Sequence, residues 1–398
     1  MQRKKRLLIV GGGNLCLQIL QILVPRDQFE FHVASRDLEK VTRMCNLVRL
    51  AALQLDVHAQ IHCWKMDLVE SDIERNAETL TRIRPDIILN CASLQSWRII
   101  TQLPKAAFEA LDQAQLGPWL PMHLAPAYAL MRAVKHACPK TLVVNAAFPD
   151  AVNPVLYKVG LAPMAGIGNI ANLVPATRSA IARLARCEPH DVRVKLIGQH
   201  YFSHFVPRGG MPSKAHFNLN YWINGKDFSG FHDPHEIFKC VAEHFRRLGG
   251  VDGQYLTAMS AVSVISNLFS DTEVHTHAPG PDGLPGGYPV KVGMGRVLLD
   301  IPWGVLRSVA LEINNAGLRQ DGIEAIHADG SVTFGAPHMA VMEEVLKYKW
   351  ASNEKLDVHN AAAHADALGR TYQTYIDTIR QQGDRYVTRP SGHARRAG

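Results

Sequence analysis

A chain of 398 residues, 47% apolar and 20% charged, carries enough apolar content for two domains of about 150–200 residues each. No apolar run reaches the roughly 18–20 residues that a membrane span needs, and the seven cysteines include no C-x-x-C pair, so neither a membrane protein nor a disulfide scaffold is expected. The formal net charge of +7 gathers in "QRKKR" at the start and "RYVTRPSGHARRAG" at the end, and no basic stripe interleaves with aromatic residues, so the expected ligand is a small anion rather than nucleic acid.

The start, "MQRKKRLLIVGGGN", is basic and then briefly apolar, as a signal peptide is. Here the apolar run leads straight into glycines with no small-residue cleavage site. It is read as a first strand, "RLLIV" (6–10), and a cytoplasmic location is expected. A helix follows over 14–24, with Leu15, Ile19, Ile22 and Leu23 on one side and Pro25 as its stop. Further strands are expected at 29–35, 61–68, 86–93 and 141–148. Ser71 with Glu74 gives a capping-box signature for the helix after the third strand. Strands alternating with helices imply an α/β fold, a doubly wound parallel sheet.

Within that frame "GGGNLC" (11–16) has a mechanical reading. Gly11 permits the tight turn, Gly13 lets the backbone approach a pyrophosphate, and the helix start at Asn14 and Leu15 offers free N–H groups to the phosphates. Cys16 stands where the third glycine of G-x-G-x-x-G is usual. The end of the second strand selects the cofactor. An NAD site has an acidic residue there for the ribose hydroxyls. This chain has Ser35 and Arg36, which suit a 2′-phosphate, while Asp37 comes slightly late for the acidic role. NADP(H) is therefore expected over NAD(H). Asp67, at the end of the third strand, is placed at the border of the adenine, and Cys91 and Ala92, at the end of the fourth, beside the dinucleotide.

The second half opens with "NAAFPDAVNPVLYKVG" (145–160), continues through "GIGNIANLVPATRSAIARLARCEPHDVRVKLIGQHYFSHFVP" (166–207), and holds "YLTAMSAVSVISNLFSD" (255–271). Asn153-Pro154-Val155, then Arg178 in "RSAIARL", then Ile197-Gly198-Gln199-His200 with Val206-Pro207 follow the order found in the lactate/malate dehydrogenase superfamily, which the chain resembles as a divergent member. "ASRD" and "NCAS" in the early strands look more like a saccharopine-dehydrogenase-type NADP-binding domain. The resemblance implies an N-terminal Rossmann domain (1–155), an α+β lactate/malate dehydrogenase-like substrate domain (156–383) and a basic tail (384–398). It also implies a homo-dimer or homo-tetramer.

The same resemblance assigns roles. His200 would exchange a proton with substrate, and Arg178 would hold its carboxylate. Asn153 would bond the substrate oxygen or position the nicotinamide. Arg98, in the stretch after the fourth strand where the family has a mobile arginine loop, would clamp the carboxylate. The family's orienting aspartate lies three residues before the helix arginine. Here that residue is Pro175, read as first-turn proline of a helix capped by Asn172, and Asp150 and Asp233 are carboxylates of the right type for the vacated role. The expected reaction is hydride transfer between NADP(H) and a ketone or imine carbon of a small carboxylate, a 2-oxo, 2-hydroxy or opine-like acid. The alternative is a non-catalytic NADP(H)-binding redox sensor or scaffold.

The histidines also invite a metal reading. His200 and His204 would share a face if the strand continued, and His275, His277, His232 and His235 supply further imidazoles. None has a spacing that specifies a metal, and no metal is expected. "FHDPHE" reads better as a helix start, with Asp233 as cap and Pro234 in the first turn.

Overall fold

The computed structural model describes residues 3–387. The first sheet is built from β1 (Lys5–Val10), β2 (Phe29–Ser35), β3 (Ile61–Lys65), β4 (Ile87–Asn90), β5 (Leu142–Asn145) and β6 (Ala165–Gly166), all parallel, in the order β3-β2-β1-β4-β5-β6. The helices between them are α1 (Asn14–Leu23), α2 (Leu38–Leu53), α3 (Ile73–Ile83), α4 (Lys105–Asp112), α5 (Pro121–Ala137) and α6 (Pro149–Lys158). Leu7, Leu8 and Ile9 are fully buried, because a parallel strand is covered on both faces and so reads as a continuous apolar run. The strand order reverses between β1 and β4, which opens a crevice at their carboxyl ends.

Beyond β6 come α7 (Ile170–Ala185), β7 (Val192–Gly198), α8 (His200–Gly209), β8 (Phe217–Ile223), β9 (Lys226–Asp227), α9 (Pro234–His244) and α10 (Gln254–Asn267). They are followed by β10 (Val274–Pro279), β11 (Gly287–Gly293), β12 (Arg296–Leu299) and α11 (Arg307–Gln320). A second sheet, antiparallel, runs β10-β11-β7-β8-β9 with β12 paired to β11. A small hairpin of β13 (Ile323–Ile326) and β14 (Val332–Phe334) precedes α12 (Ala336–Leu346) and α13 (Ala361–Val387). Two long-range packings join the halves: α10 lies on α1, and α13 returns to α5. Among the described residues no helix is long and apolar enough to cross a membrane.

The structure amends several expectations. The boundary placed at 155 falls inside α6, and the first sheet takes its last strand from 165–166. The tail read from 384 is helical through Val387, and 388–398 lie outside the described residues. The Ser71–Glu74 capping box does not form: a 3₁₀ turn covers Glu70–Asp72, and α3 starts behind Asp72 without a side-chain cap. Pro175 is not in a first turn either. The helix starts at Ile170 behind Asn169, so Pro175 sits inside it, where it leaves a carbonyl one turn back without its usual donor. The strand stops at Gly198, and His200 opens a helix instead, because the Gln199 side chain turns back to accept from the Tyr201 N–H at 2.6 Å. Asp233 caps α9 as expected, accepting from the His235 N–H at 2.9 Å.

Candidate active site

Two cavities meet at the carboxyl edge of the parallel sheet. The first, about 320 Å³, is lined by the glycines 11–13, Ser35, Arg36, Asp67, Cys91 and Ala92. The second, about 560 Å³, shares Gly13 and Cys91 with it and adds Asn14, Leu15, Arg98 and His200. Every residue expected beside the dinucleotide thus lines one continuous cleft. Lys40 is an unexpected addition to the first cavity.

The glycine turn fits a dinucleotide for two different reasons. Gly11 has φ +109°, and a Cβ there would lie 2.8 Å from the Ala92 nitrogen and the Cys91 carbonyl carbon, so this glycine is demanded by the fold. A Cβ at Gly13 would meet nothing within 4 Å. That space is available to a ligand, in front of the start of α1, where the first turn has no side-chain cap and no acidic residue. Free N–H groups facing an open cradle suit a pyrophosphate. Asp37 lines the same cavity, and one of its carboxylate oxygens caps α2 by accepting from the Lys40 N–H at 2.9 Å.

At the other end of the cleft the His200 Nδ1–H donates to Asp321 Oδ2 at 3.0 Å. The Asp321 side chain is 1% exposed, and it also accepts from Gln199 Nε2 at 2.9 Å. This carboxylate, just past the end of α11, does what the position of Pro175 cannot. It fixes the tautomer with the proton on Nδ1 and leaves Nε2 as the unengaged nitrogen of the ring. Gly317 makes the approach possible: a Cβ there would fall 2.4 Å from Gln199 Cβ. Asp150, a candidate by type, is close but holds the backbone, accepting from the His200 N–H at 2.9 Å and from the Asn169 side chain. Burial pulls the His200 pKa down, but the charge and hydrogen bond of Asp321, with Asp150 behind it, outweigh burial and raise it above the ordinary value. Burial pushes Asp150 up to about 6, against the pull of His200 and Asn169.

The surrounding wall is shaped by backbone strain. Phe148 at φ 44° and Asn169 at φ 52° both occupy the left-handed region, which costs a bulky residue energy and marks a constrained site. Phe148 sets its ring edge-on to His123 at 6.2 Å and to His200 at 6.1 Å. Both ring nitrogens of His123 are buried without a partner, and burial with the charge of His200 holds its pKa down at about 4. His204, one turn after His200 and stacked on it at 5.5 Å, is kept neutral by burial and by the cations around it.

Two of the four expected catalytic residues reach the cleft, and two do not. His200 and Arg98 line it, and the Arg98 guanidinium donates to the Gly250 carbonyl at 3.1 Å. Arg178 points elsewhere. It donates to the Val192 and Pro189 carbonyls, each at 2.9 Å, and lines a separate cavity of about 490 Å³ beside Arg193, Lys195 and Asp300. The residues of this segment that face the cleft are Asn169 and Asn172, roughly two turns earlier. Asn153 is wholly buried: it accepts from Asn145 at 2.9 Å and donates to the Gly280 carbonyl at 3.0 Å, a tie between α6 and the turn after β10.

Among the described residues neither His200 nor His204 joins a metal-type cluster. The group of that kind among the described residues is Glu30, His32 and His62, on β2 and β3. There the Trp64 indole N–H donates to His32 Nδ1 at 3.0 Å. The ring proton therefore sits on Nε2, facing Glu30, and that nitrogen has no lone pair for a metal.

No family model matches the chain, and no curated protein matches it by sequence. Its fold does match solved structures. Malate dehydrogenase from Plasmodium falciparum superposes with a TM-score of 0.55 at 12% identity, over 85% of this chain and 99% of that one. Cryptosporidium parvum malate dehydrogenase gives 0.54 at 15% identity, over 79% and 96%. Lactate dehydrogenase from Eimeria maxima, solved with NADH and oxamate, gives 0.53 at 14% identity, over 80% and 94%. The fold is that of the lactate and malate dehydrogenases, a Rossmann sheet followed by an α+β domain.

Proposed function

We propose that the chain is a nicotinamide-dependent oxidoreductase that interconverts a 2-oxo and a 2-hydroxy acid, or the corresponding imine and amine, with NADP(H) preferred. The observation that carries this reading is the His200–Asp321 pair, set in a cleft continuous with the glycine cradle. Lactate and malate dehydrogenases share the fold, and the Eimeria lactate dehydrogenase was solved with NADH and a small carboxylate, which supports the class of cofactor and of substrate.

When bound, the nicotinamide supplies or accepts the hydride. The chain's residues do the rest. Gly13 and the start of α1 hold the pyrophosphate. Arg98 draws the substrate carboxylate toward the floor of the cleft. In reduction, protonated His200 gives the Nε2 proton to the carbonyl oxygen or imine nitrogen, and Asp321 stabilises the cation until it does. In oxidation the neutral ring takes the proton back. The exposed leucines 47, 50 and 53 on α2, each more than half accessible, support a homo-oligomer.

The test is oxidation of NADPH in the presence of a panel of 2-oxo acids, with and without amines. Turnover by the wild type and a loss of at least about 100-fold in His200→Ala is the expected result. NADPH binding with no turnover on any acid would instead favour the redox-sensor reading. The cofactor preference is tested separately. Arg36 and Lys40 both line the cavity where a 2′-phosphate would lie. Arg36→Ala is expected to weaken NADPH by about 10- to 30-fold, the worth of one charge-assisted contact, and to leave NADH unchanged. Equal losses for both would assign Arg36 to neither.

A further inference from the structure

We propose that Arg247, in the segment joining α9 to α10, together with Arg98 clamps a substrate that carries a second anionic group beyond its reacting carboxylate. This rests on the oxidoreductase reading above and names the substrate class of that site. The His200 chamber opens into a recess of about 160 Å³ whose walls include Arg98, Arg208, Arg247, Asn172 and His204. Three guanidiniums meet there, and their charges bear on one another and on His204. Arg208 is matched by Asp112 at 3.3 Å. The other two are not matched by a carboxylate among the described residues: Arg98 bonds the Gly250 carbonyl and Arg247 the Asn172 carbonyl, at 3.1 and 2.6 Å.

Two like charges side by side repel, and a pair of anionic groups removes the repulsion while each planar fork binds one group bidentately. Unpartnered polar atoms point to the same conclusion. Trp97 Nε1 and Gln95 Nε2 are buried along the cleft with no hydrogen-bond partner, although buried polar groups are nearly always paired. Both are donors suited to an anion. Arg178, assigned by resemblance to the carboxylate, lies in another cavity, so the cleft needs its cations from elsewhere. Arg247 is at the solvent mouth, and its substitution is therefore expected to leave the fold intact.

The experiment uses the full chain with NADPH. Monoanionic acids (pyruvate, 2-oxobutyrate) are compared with dianionic dicarboxylates (oxaloacetate, 2-oxoglutarate) and with phosphonopyruvate, which separates a carboxylate from a phosphonate as the second group. Expected is a kcat/KM at least about 100-fold higher for one dianionic class. Arg247→Gln should raise KM for that class about 50-fold, with kcat within about threefold and the monoanions unaffected, and Arg247→Lys should recover part of the loss. An unchanged KM in Arg247→Gln, or equal losses for mono- and dianions, overturns the assignment and leaves the oxidoreductase reading standing. Malonate binding to the NADPH complex by calorimetry separates the opposite case: if no acid turns over but malonate affinity falls in Arg247→Gln, the clamp stands and the reaction class falls.

Discussion

Replacing Asp321 by Asn is expected to lower kcat/KM for 2-oxo acid reduction between roughly 100- and 10,000-fold, with the fold retained. The amide is nearly isosteric, so α11 and the end of β7 keep their spacing. What changes is what the ring nitrogen meets. Asp321 Oδ2 accepts from both His200 Nδ1 and Gln199 Nε2 while Oδ1 accepts from the Leu116 N–H at 3.4 Å, and an amide has one oxygen for these two sides. If the amide NH₂ turns toward His200, Nδ1 must become an acceptor and the proton moves to Nε2, which leaves the working nitrogen unable to take a proton in the oxidative direction. In either orientation the imidazolium loses the charge that stabilises it. A variant with wild-type kinetics would show that His200 works without Asp321.

The pH dependence carries the same signature. Although burial pulls His200 down, Asp321 and Asp150 raise its pKa above 6.5. Reduction needs the protonated ring and should fall as pH rises through the raised pKa, while oxidation should rise over the same interval. In Asp321→Asn the midpoint should move to lower pH. Stability follows with a definite sign. A group whose folded pKa lies above its unfolded value holds its proton more tightly when folded, so its contribution is full below about 6.5 and is lost as pH rises through the folded pKa. Asp150 acts in the same direction: with a folded value of about 6 against 3.8, its share declines between those two values. Buried His123, His204 and His277, whose pKa values are held down, act in the opposite sense below about pH 6.5, so the His200 contribution is read as a difference: the excess melting temperature of the wild type over Asp321→Asn should shrink as pH rises from about 6.5 to 9.

How much of this was legible in the sequence differs between the two halves. The glycine turn and the parallel sheet could be read because each is local. "RLLIV" is a continuous apolar run running into three glycines, and the residues that end β2 and β4 are lining residues wherever such a sheet opens. Even so, the two-residue β6 had no pattern long enough to see. The chemistry at His200 is not local. Its partner lies over a hundred residues later, and "QDG" around Asp321 reads simply as a turn after a helix. Only the packing of α11 against Gln199, permitted by Gly317, turns it into an orienting carboxylate. Arg178 shows the converse failure. Motif order placed it correctly on the helix before β7, but a helix turns 100° per residue, so Arg178, six residues beyond Asn172, points about 120° away from the face that Asn172 turns to the cleft. Asn153 was found in the right segment, yet its bonds are internal. Arg247 lies in a segment, "RRLGGVDG", where paired cations beside glycines look like an ordinary exposed loop.

Gly13→Val provides the most direct test of the cradle, because it separates binding from folding. Gly13 has φ −92° and ψ −174°, an extended conformation that valine adopts without strain, and a Cβ there touches nothing. The melting temperature is expected to stay within about 2 °C. The branched side chain would nevertheless stand in front of the first turn of α1, where a pyrophosphate must approach the backbone closely. NADPH affinity, read from nicotinamide fluorescence, should fall at least about 100-fold, or about 2.7 kcal/mol. Gly11→Ala makes the contrast. Its φ of +109° and the 2.8 Å approach to the backbone of residues 91 and 92 should cost about 3 kcal/mol of stability, so any loss of binding there would come with loss of fold. Unaltered NADPH affinity in a well-folded Gly13→Val protein would mean that the nucleotide does not lie over this turn, and the proton-transfer role of His200 would then have no hydride donor beside it.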